Sequence, residues 1–350
     1  MGLVLSITDK DFSELLQDFY DVMKQEKQEE AAMLADIIDT MKKDIRLEEV
    51  LIKADLLTIR YQVMQGELQP AGYLLEEFEE RGHDLSQQNE YFYKYFKGQV
   101  LFKKKRWKEA LRYYEQAELY ITEDEEKADF YYKLSHAYYR TGIPALSVLN
   151  ANKALRYAAS YKQQYHLAKC KLLLGLNHLE IRNFEQAEFL LYEALDSQHN
   201  IDETSLDLAS MVHHNLGLLH FVQRKFEKAV DYFDQAVHAT PCSHYLKSLY
   251  YLTESLFRVN HHSEAMKYYQ IGLTKSKEKK DMVYQWAFAM LHKQFVDCDN
   301  FEAVWAEGIA YYKAIDDSES VHYYSLRMAD YYTLKGEEEK ANYYYRLAVL

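Results

Sequence analysis

The chain has 350 residues, more than one compact hydrophobic core ordinarily serves, and so calls for two domains or a repeat array. Its 3 prolines and 11 glycines are too few for an all-β or α/β protein of this length, whose hairpins and crossovers use positive φ angles repeatedly. A formal net charge of −13 argues against non-specific binding to nucleic acid, which rests on phosphate neutralisation by Lys and Arg.

The opening Met1 to Ile7 is apolar but short and lacks a positive leader, so it does not read as a signal peptide. Thr8 followed by Asp11 resembles a capping box, and Phe12, Leu15, Leu16, Phe19, Val22 and Met23 then form an apolar stripe at helical spacing. A second amphipathic helix carries Ala31, Leu34, Ala35, Ile38 and Met41. A third carries Val50, Leu51, Ala54, Leu57, Tyr61 and Met64. Residues 8–66 are therefore expected to form a three-helix bundle. The segment from Gly66 to Gly72, with Pro70 inside it, is expected to be a linker, and a helix from Tyr73 to Arg81 is expected to open a second domain.

From there the chain repeats itself. Gly98, Leu101, Ala110, Tyr114 and Ala117 set a ruler in which small residues let two antiparallel helices approach and large ones fill the neighbouring groove. It fits again at Ser135, Tyr138, Ser147 and Ala154; at Gly175, Ala187, Leu191 and Ala194; and at Gly217, His220, Ala229, Phe233 and Ala236, with Pro241 after the last. It returns at Thr253, Leu256, Ala265, Tyr269 and Gly272, in a degraded copy over 283–315, and at Ala329, Tyr332, Ala341, Tyr345 and Ala348. This is the spacing of the tetratricopeptide repeat. The fold expected is all-α: a three-helix bundle over 8–66, then a right-handed tetratricopeptide-repeat solenoid over 73–350, with about six to seven repeats and a concave inner face.

An inner face that holds an extended peptide must pair the peptide's backbone amides, and an asparagine amide both donates and accepts. Asn177 and Asn215 sit beside the repeat glycines on the first helix of their units, where that face is drawn. Lys133, His136, Tyr139, Glu180, His214, Tyr251 and Glu254 are further inner-face candidates whose mixed charge suits a short polar peptide with free termini. The bland alternative for each is an ordinary surface or packing role.

Cys170, Cys242 and Cys298 are too scattered for a disulfide framework, which points to a reducing cytoplasm, and no apolar run approaches the ~20 residues of a membrane span. His213 and His220 share a helix face without a third ligand at fixed spacing, so no metal is expected. There is no Walker loop, dinucleotide-binding glycine motif or nucleophile elbow, hence no cofactor. The basic run Lys103 to Arg106 reads as a solvated turn.

Several stretches together resemble the Rap proteins of Bacillus and its phages and plasmids. Tyr93 to Gly98 precedes the first clear repeat; Glu126 to Lys133 is similar to that family's E-K-A-E-F-x-F-K, Asn215-Leu216-Gly217 to its N-I-G, and Ile59-Arg60-Tyr61 to its F-R-H or F-R-Y. The resemblance implies a cytoplasmic quorum-sensing receptor. Such a receptor binds a response regulator, dephosphorylating or sequestering it, and is switched off by a Phr-type penta- or hexapeptide held in the solenoid. It also implies peptide-clamping roles for Asn215 and Asn177. The phosphatase members carry a glutamine in an M-E-E-D-Q stretch. Here, counting forward from Met41 puts Ile45 at that place and counting back from Arg60 puts Glu48 there. Neither side chain is an amide, and a carboxylate beside a transferring phosphoryl group adds repulsion where charge must be neutralised. Gln62 and Gln65 on the third helix are the remaining amides, so catalysis is doubtful and sequestration is favoured. Three alternatives stay open: a scaffold without a small ligand, a peptide-controlled transcription factor, and an active response regulator aspartate phosphatase. Against the second, the acidic second and third helices lack a basic recognition helix, so no direct nucleic-acid contact is expected.

Overall fold

The computed structural model describes residues 8–82, 84–198, 206–239, 242 and 244–349, and among these every regular element is helical. The Met1 to Ile7 stretch and Pro241 lie outside the described residues. The chain divides into two compact units, Met1–Ile181 and Arg182–Leu350.

The first unit begins with α1 (Asp9–Lys24), α2 (Gln28–Met41) and α3 (Glu48–Gln65). The Thr8 hydroxyl accepts from the Asp11 amide at 3.2 Å and the Asp11 carboxylate accepts from the Thr8 amide at 3.1 Å, so the capping box is real. The stripe on α1 is buried through Phe12, Leu16, Phe19 and Met23, against Ala31 and Ile38 of α2 and Ala54, Leu56 and Leu57 of α3.

The expected linker is not one. Gly66 ends α3 in the left-handed region at φ 82°, and α4 (Leu68–Arg81) starts two residues later and runs straight through Pro70 and Gly72. Pro70 falls in the first turn of α4, where an amide has no intrahelical acceptor to lose. α3 and α4 thus form a hairpin. The hairpins α5 (Gln87–Lys103)/α6 (Trp107–Glu118) and α7 (Lys127–Arg140)/α8 (Pro144–Ser160) follow, and α9 (Gln164–Glu180) closes the unit. The bundle and these hairpins share one apolar core: the Tyr20 ring meets Phe92 edge-on at 5.0 Å, and Phe92 stacks on Phe96 at 5.3 Å.

The second unit holds α10 (Phe184–Gln198), α11 (Leu206–Val222), α12 (Phe226–His238), α13 (Tyr245–Arg258), α14 (His262–Glu278), α15 (Met282–Phe295), α16 (Phe301–Ala314), α17 (Ser318–Lys335) and α18 (Glu338–Val349). From α11 onward these are helical hairpins with a core of Phe233, Leu249, Phe257, Phe288, Trp305 and Tyr312.

The small residues do what the spacing predicts. A β-carbon on Gly98 would stand 2.6 Å from the Tyr114 ring, and one on Gly217 would stand 2.7 Å from the Phe233 ring. Each ring is the large residue of the same repeat, so glycine at the first ruler position and an aromatic at the fourth are one contact. Gly217→Ala is expected to lower the unfolding free energy by about 1–3 kcal/mol, because the ring is buried and has little room to move. Chemical denaturation checks this; an unchanged midpoint would place the ring elsewhere.

Glycine is scarce because other residues take the left-handed turns. Lys105, Arg182, Arg224, Asn260 and Asn300 all have φ between 57° and 61°, at the same intervals as the repeat anchors, with Gly142 and Gly336 in the same role. At Arg224 the amide bonds Phe221 O at 2.9 Å and the next amide, of Lys225, bonds His220 O at 2.9 Å. That is the Schellman closure, which satisfies two carbonyls at the end of the first helix and turns the chain back for the second.

Candidate functional site

The two asparagines share a sequence context and differ in place. Asn177 on α9 has no exposed surface. Its Nδ2 donates to Ser147 Oγ at 2.9 Å and to Leu173 O at 2.8 Å. Ser147 is itself tied across the α7/α8 hairpin, bonding Ser135 O at 2.9 Å while Ser135 Oγ bonds Ser147 O at 2.7 Å. The small residues of the second repeat are therefore hydrogen-bonded serines, and Asn177 joins α9 to them. Both its amide hydrogens are used inside the fold, and its carbonyl is buried without a partner among the described residues. Asn215 on α11 retains 8% of its surface. Its Nδ2 bonds Met211 O at 2.7 Å, within the same helix, which leaves one amide hydrogen and the side-chain carbonyl available. A donor and an acceptor side by side are what a peptide backbone requires.

Beside Asn215, His214 is buried: its Nδ1 meets Ser248 Oγ at 2.9 Å, and its ring packs on Phe233, His244 and Tyr251. Burial, with Lys247 and His244 nearby, holds this imidazole well below the usual histidine range, so it is neutral. Tyr251 stacks on Phe233 at 5.5 Å and is half-buried.

Glu254, taken from the sequence as an inner-face carboxylate, has no exposed surface. Oε1 accepts from Arg258 Nε at 3.0 Å and Nη2 at 2.8 Å and also from Arg327 Nη2. Oε2 accepts from Arg327 Nη1 at 3.0 Å and from Tyr323 Oη at 3.3 Å. Burial alone would raise its pKa, but Arg327 and Arg258 outweigh this and lower it. Arg327 and Tyr323 lie on α17, so the contact reaches past α15 to a helix 73 residues on, beyond any local spacing.

In the first unit, Lys133 holds Asp129 at 2.6 and 2.8 Å, one helical turn earlier on α7. Burial lowers the Lys133 ammonium to about 8, against the pull of Asp129. Its side chain keeps 23% of its surface, so it lies at the rim of the fold and is still charged at neutral pH. His136 packs on Phe102 at 4.9 Å and is pushed down to about 3 by burial and the surrounding positive charge. Tyr139 is half-buried beside it, with the two rings 6.3 Å apart. Glu180 ends α9 exposed to solvent and joins none of these groups.

The amide candidates of the bundle are split by the length of α3. Glu48 is exposed in its first turn, whereas Gln62 and Gln65 sit near its other end. At a rise of 1.5 Å per residue the fourteen steps from Glu48 to Gln62 put them roughly 20 Å apart. Ile45 is 6% exposed and belongs to the bundle core, so that position offers nothing to a partner.

Among the described residues no three His, Cys, Asp or Glu side chains converge as metal ligands, and no helix is long and apolar enough to cross a membrane.

No protein-family model matches the chain. It is 28% identical over 279 residues to the regulatory protein RapG of Bacillus subtilis (strain 168), covering 75% of this chain and 74% of RapG. It is 25% identical over 358 residues to response regulator aspartate phosphatase I of the same organism, covering 95% of this chain and 88% of that protein. The fold matches the crystal structure of a Rap protein complexed with competence and sporulation factor, with a TM-score of 0.83, 21% identity and 97% of each chain covered. Helical throughout the described residues, with tetratricopeptide-type hairpins after a three-helix bundle, the chain is similar to Rap proteins in sequence and in fold.

Proposed function

We propose that this protein is a cytoplasmic Rap-like receptor that binds a bacterial response regulator and is released from it by a short signalling peptide. The observation that carries this reading is the relation, along nearly the whole chain, to response regulator aspartate phosphatase I, joined to a buried Asn215 whose amide keeps a donor and an acceptor beyond its one bond within α11. A scaffold without a small ligand leaves that amide without a use.

The regulator docks on the bundle, residues 8–66, where Met33, Ile37 and Leu47 stand in solvent at 67%, 39% and 50% exposure. Apolar side chains exposed among the acidic residues of α2 suit a protein partner better than water. The peptide docks on the first helices of the second unit's repeats, with Asn215 as the clamp; His214 and Glu254 support those helices from within.

The protein acts by sequestration. Hydrolysis of a phospho-aspartate needs a water aligned in line by a neutral donor-acceptor. Ile45 is in the core, the Glu48 carboxylate would repel the transferring group, and Gln62 and Gln65 sit at the opposite end of α3 from Glu48. The test mixes the purified protein with a panel of phosphorylated response regulators. It is expected to hold one regulator without speeding phosphate loss beyond that regulator's own decay, and a penta- or hexapeptide pool is expected to release it. Fast turnover abolished by Gln62→Ala or Gln65→Ala would overturn sequestration; no captured regulator would overturn the receptor reading.

A further inference from the structure

The second helix of each repeat turns a stripe to solvent, and the ruler says which residues stand on it. They are the second residue after the small residue of that helix and the first after its large one. On α6 these are Arg112 and Glu115, on α12 Asp231 and Asp234, and on α14 Lys267 and Gln270. Leu149 and Asn152 take the places on α8, and Tyr343 and Arg346 on α18. Only α10 has an aromatic side chain at both: Phe189 is 57% exposed and Tyr192 39%. Neither ring joins a hydrophobic core.

Tyr192 is also held in place. Its hydroxyl is bonded to that of Tyr232 on α12, whose ring stacks on the buried His220 at 5.3 Å. A ring already fixed loses little rotamer freedom when a partner covers it. The helices that carry these rings are charged one way. α10 has Glu185, Glu188, Glu193 and Asp196 and no Lys, Arg or His, and α12 adds Glu227, Asp231 and Asp234 against Lys228 and His238. His220 lies 3.8 Å from Glu188, but burial holds its imidazole below the usual histidine range, so it adds no positive charge at neutral pH. Exposed aromatic faces attract cations, and the aliphatic stems of Lys and Arg cover apolar surface. The same acids repel nucleic acid and anionic lipid.

We propose that Phe189 and Tyr192 on α10 form a docking surface for a basic, amphipathic segment of a protein partner. Its apolar side chains cover the two rings, and its Lys or Arg side chains meet the acids of α10 and α12. This surface is on a second helix, whereas the signalling peptide is assigned to first helices, so the two are tested separately.

The experiment uses the full chain and its Phe189→Gln/Tyr192→Gln variant, which leaves the net charge unchanged. The probes are three labelled peptides written on one amphipathic helical pattern: Leu with Lys, Ser with Lys, and Leu with Glu. Fluorescence anisotropy reads affinity, and melting temperature reads the fold. The wild type is expected to bind the Leu/Lys peptide saturably. The variant is expected to bind it about 10- to 100-fold more weakly, as for the loss of aromatic anchors. Its melting temperature is expected to stay close to that of the wild type, because both side chains are exposed. The Ser/Lys peptide is expected to bind weakly and to be released as salt is raised, since charge is its main contact. The Leu/Glu peptide is expected not to bind. A Leu/Lys peptide that ignores the wild type, or binds wild type and variant equally, would overturn the docking surface. A Ser/Lys peptide that binds as tightly as Leu/Lys would overturn it too, leaving diffuse attraction between opposite charges. A Leu/Glu peptide that binds as tightly would overturn the choice of a basic partner.

Discussion

Replacing Glu254 with alanine is expected to lower the unfolding free energy by about 3–5 kcal/mol, the range for removing one partner from a buried ion pair. The effect comes less from the missing hydrogen bonds than from the uncompensated charges. Arg258 and Arg327 keep only 25% and 17% of their side-chain surface, so neither reaches full hydration once the carboxylate is gone. Glu254→Gln preserves the shape and is expected to destabilise less. Glu254→Met combined with Arg327→Met is expected to recover much of the stability, since no unpaired partner remains across α13 and α17. The pH dependence has a definite sign. The folded carboxyl has its pKa lowered, so its stabilisation is fully present above the ordinary glutamate range near 4.3 and is lost as pH falls through the folded value. Urea denaturation at neutral pH, repeated in acid, measures both effects. A loss below about 1 kcal/mol at neutral pH would show that Glu254 is hydrated and that the network is a surface decoration.

That network also shows where sequence reasoning stops. The hairpins are legible in the sequence because each rests on a contact within some twenty residues: Gly98 under Tyr114, Gly217 under Phe233. The capping box and the α1 stripe are equally local. Depth is different. Glu254, His214 and Asn177 lie on first helices, as their spacing indicates, but spacing does not say whether a side chain meets solvent or a second layer of protein. Each is covered by residues from another helix: Arg327 and Tyr323 over Glu254, Ser248 over His214, Ser147 beside Asn177. The 66–72 segment misleads for a local reason, since Pro70 and Gly72 look like breakers unless the helix starts just before them. The Asp129–Lys133 pair, one turn apart on α7, is by contrast within reach of pattern.

Asn215 supports the other large prediction. Asn215 is buried and its amide makes one hydrogen bond inside its own helix, so Asn215→Ala is expected to cost the fold about 0.5–1.5 kcal/mol, the range for one ordinary hydrogen bond. A bound peptide, in contrast, loses two hydrogen bonds to its backbone, because the adjacent His214 is turned to Ser248 and supplies no replacement. Two hydrogen bonds at about 0.5–1.5 kcal/mol each are worth about 1–3 kcal/mol, or about 5- to 150-fold in affinity. Asn215→Asp keeps the acceptor and discards the donor, and is expected to fall nearly as far. The same alanine substitution at Asn177 is expected to act through stability instead, because it leaves Ser147 short of a donor in the core.

Titrating a penta- and hexapeptide pool into the full chain and into Asn215→Ala, with melting temperature followed throughout, tests the receptor most directly. The expected result is a saturable rise for the wild type and a much weaker rise for Asn215→Ala, each measured from that protein's own starting temperature. A wild type that no peptide stabilises would contradict it and leave a protein that bridges partners without a small ligand.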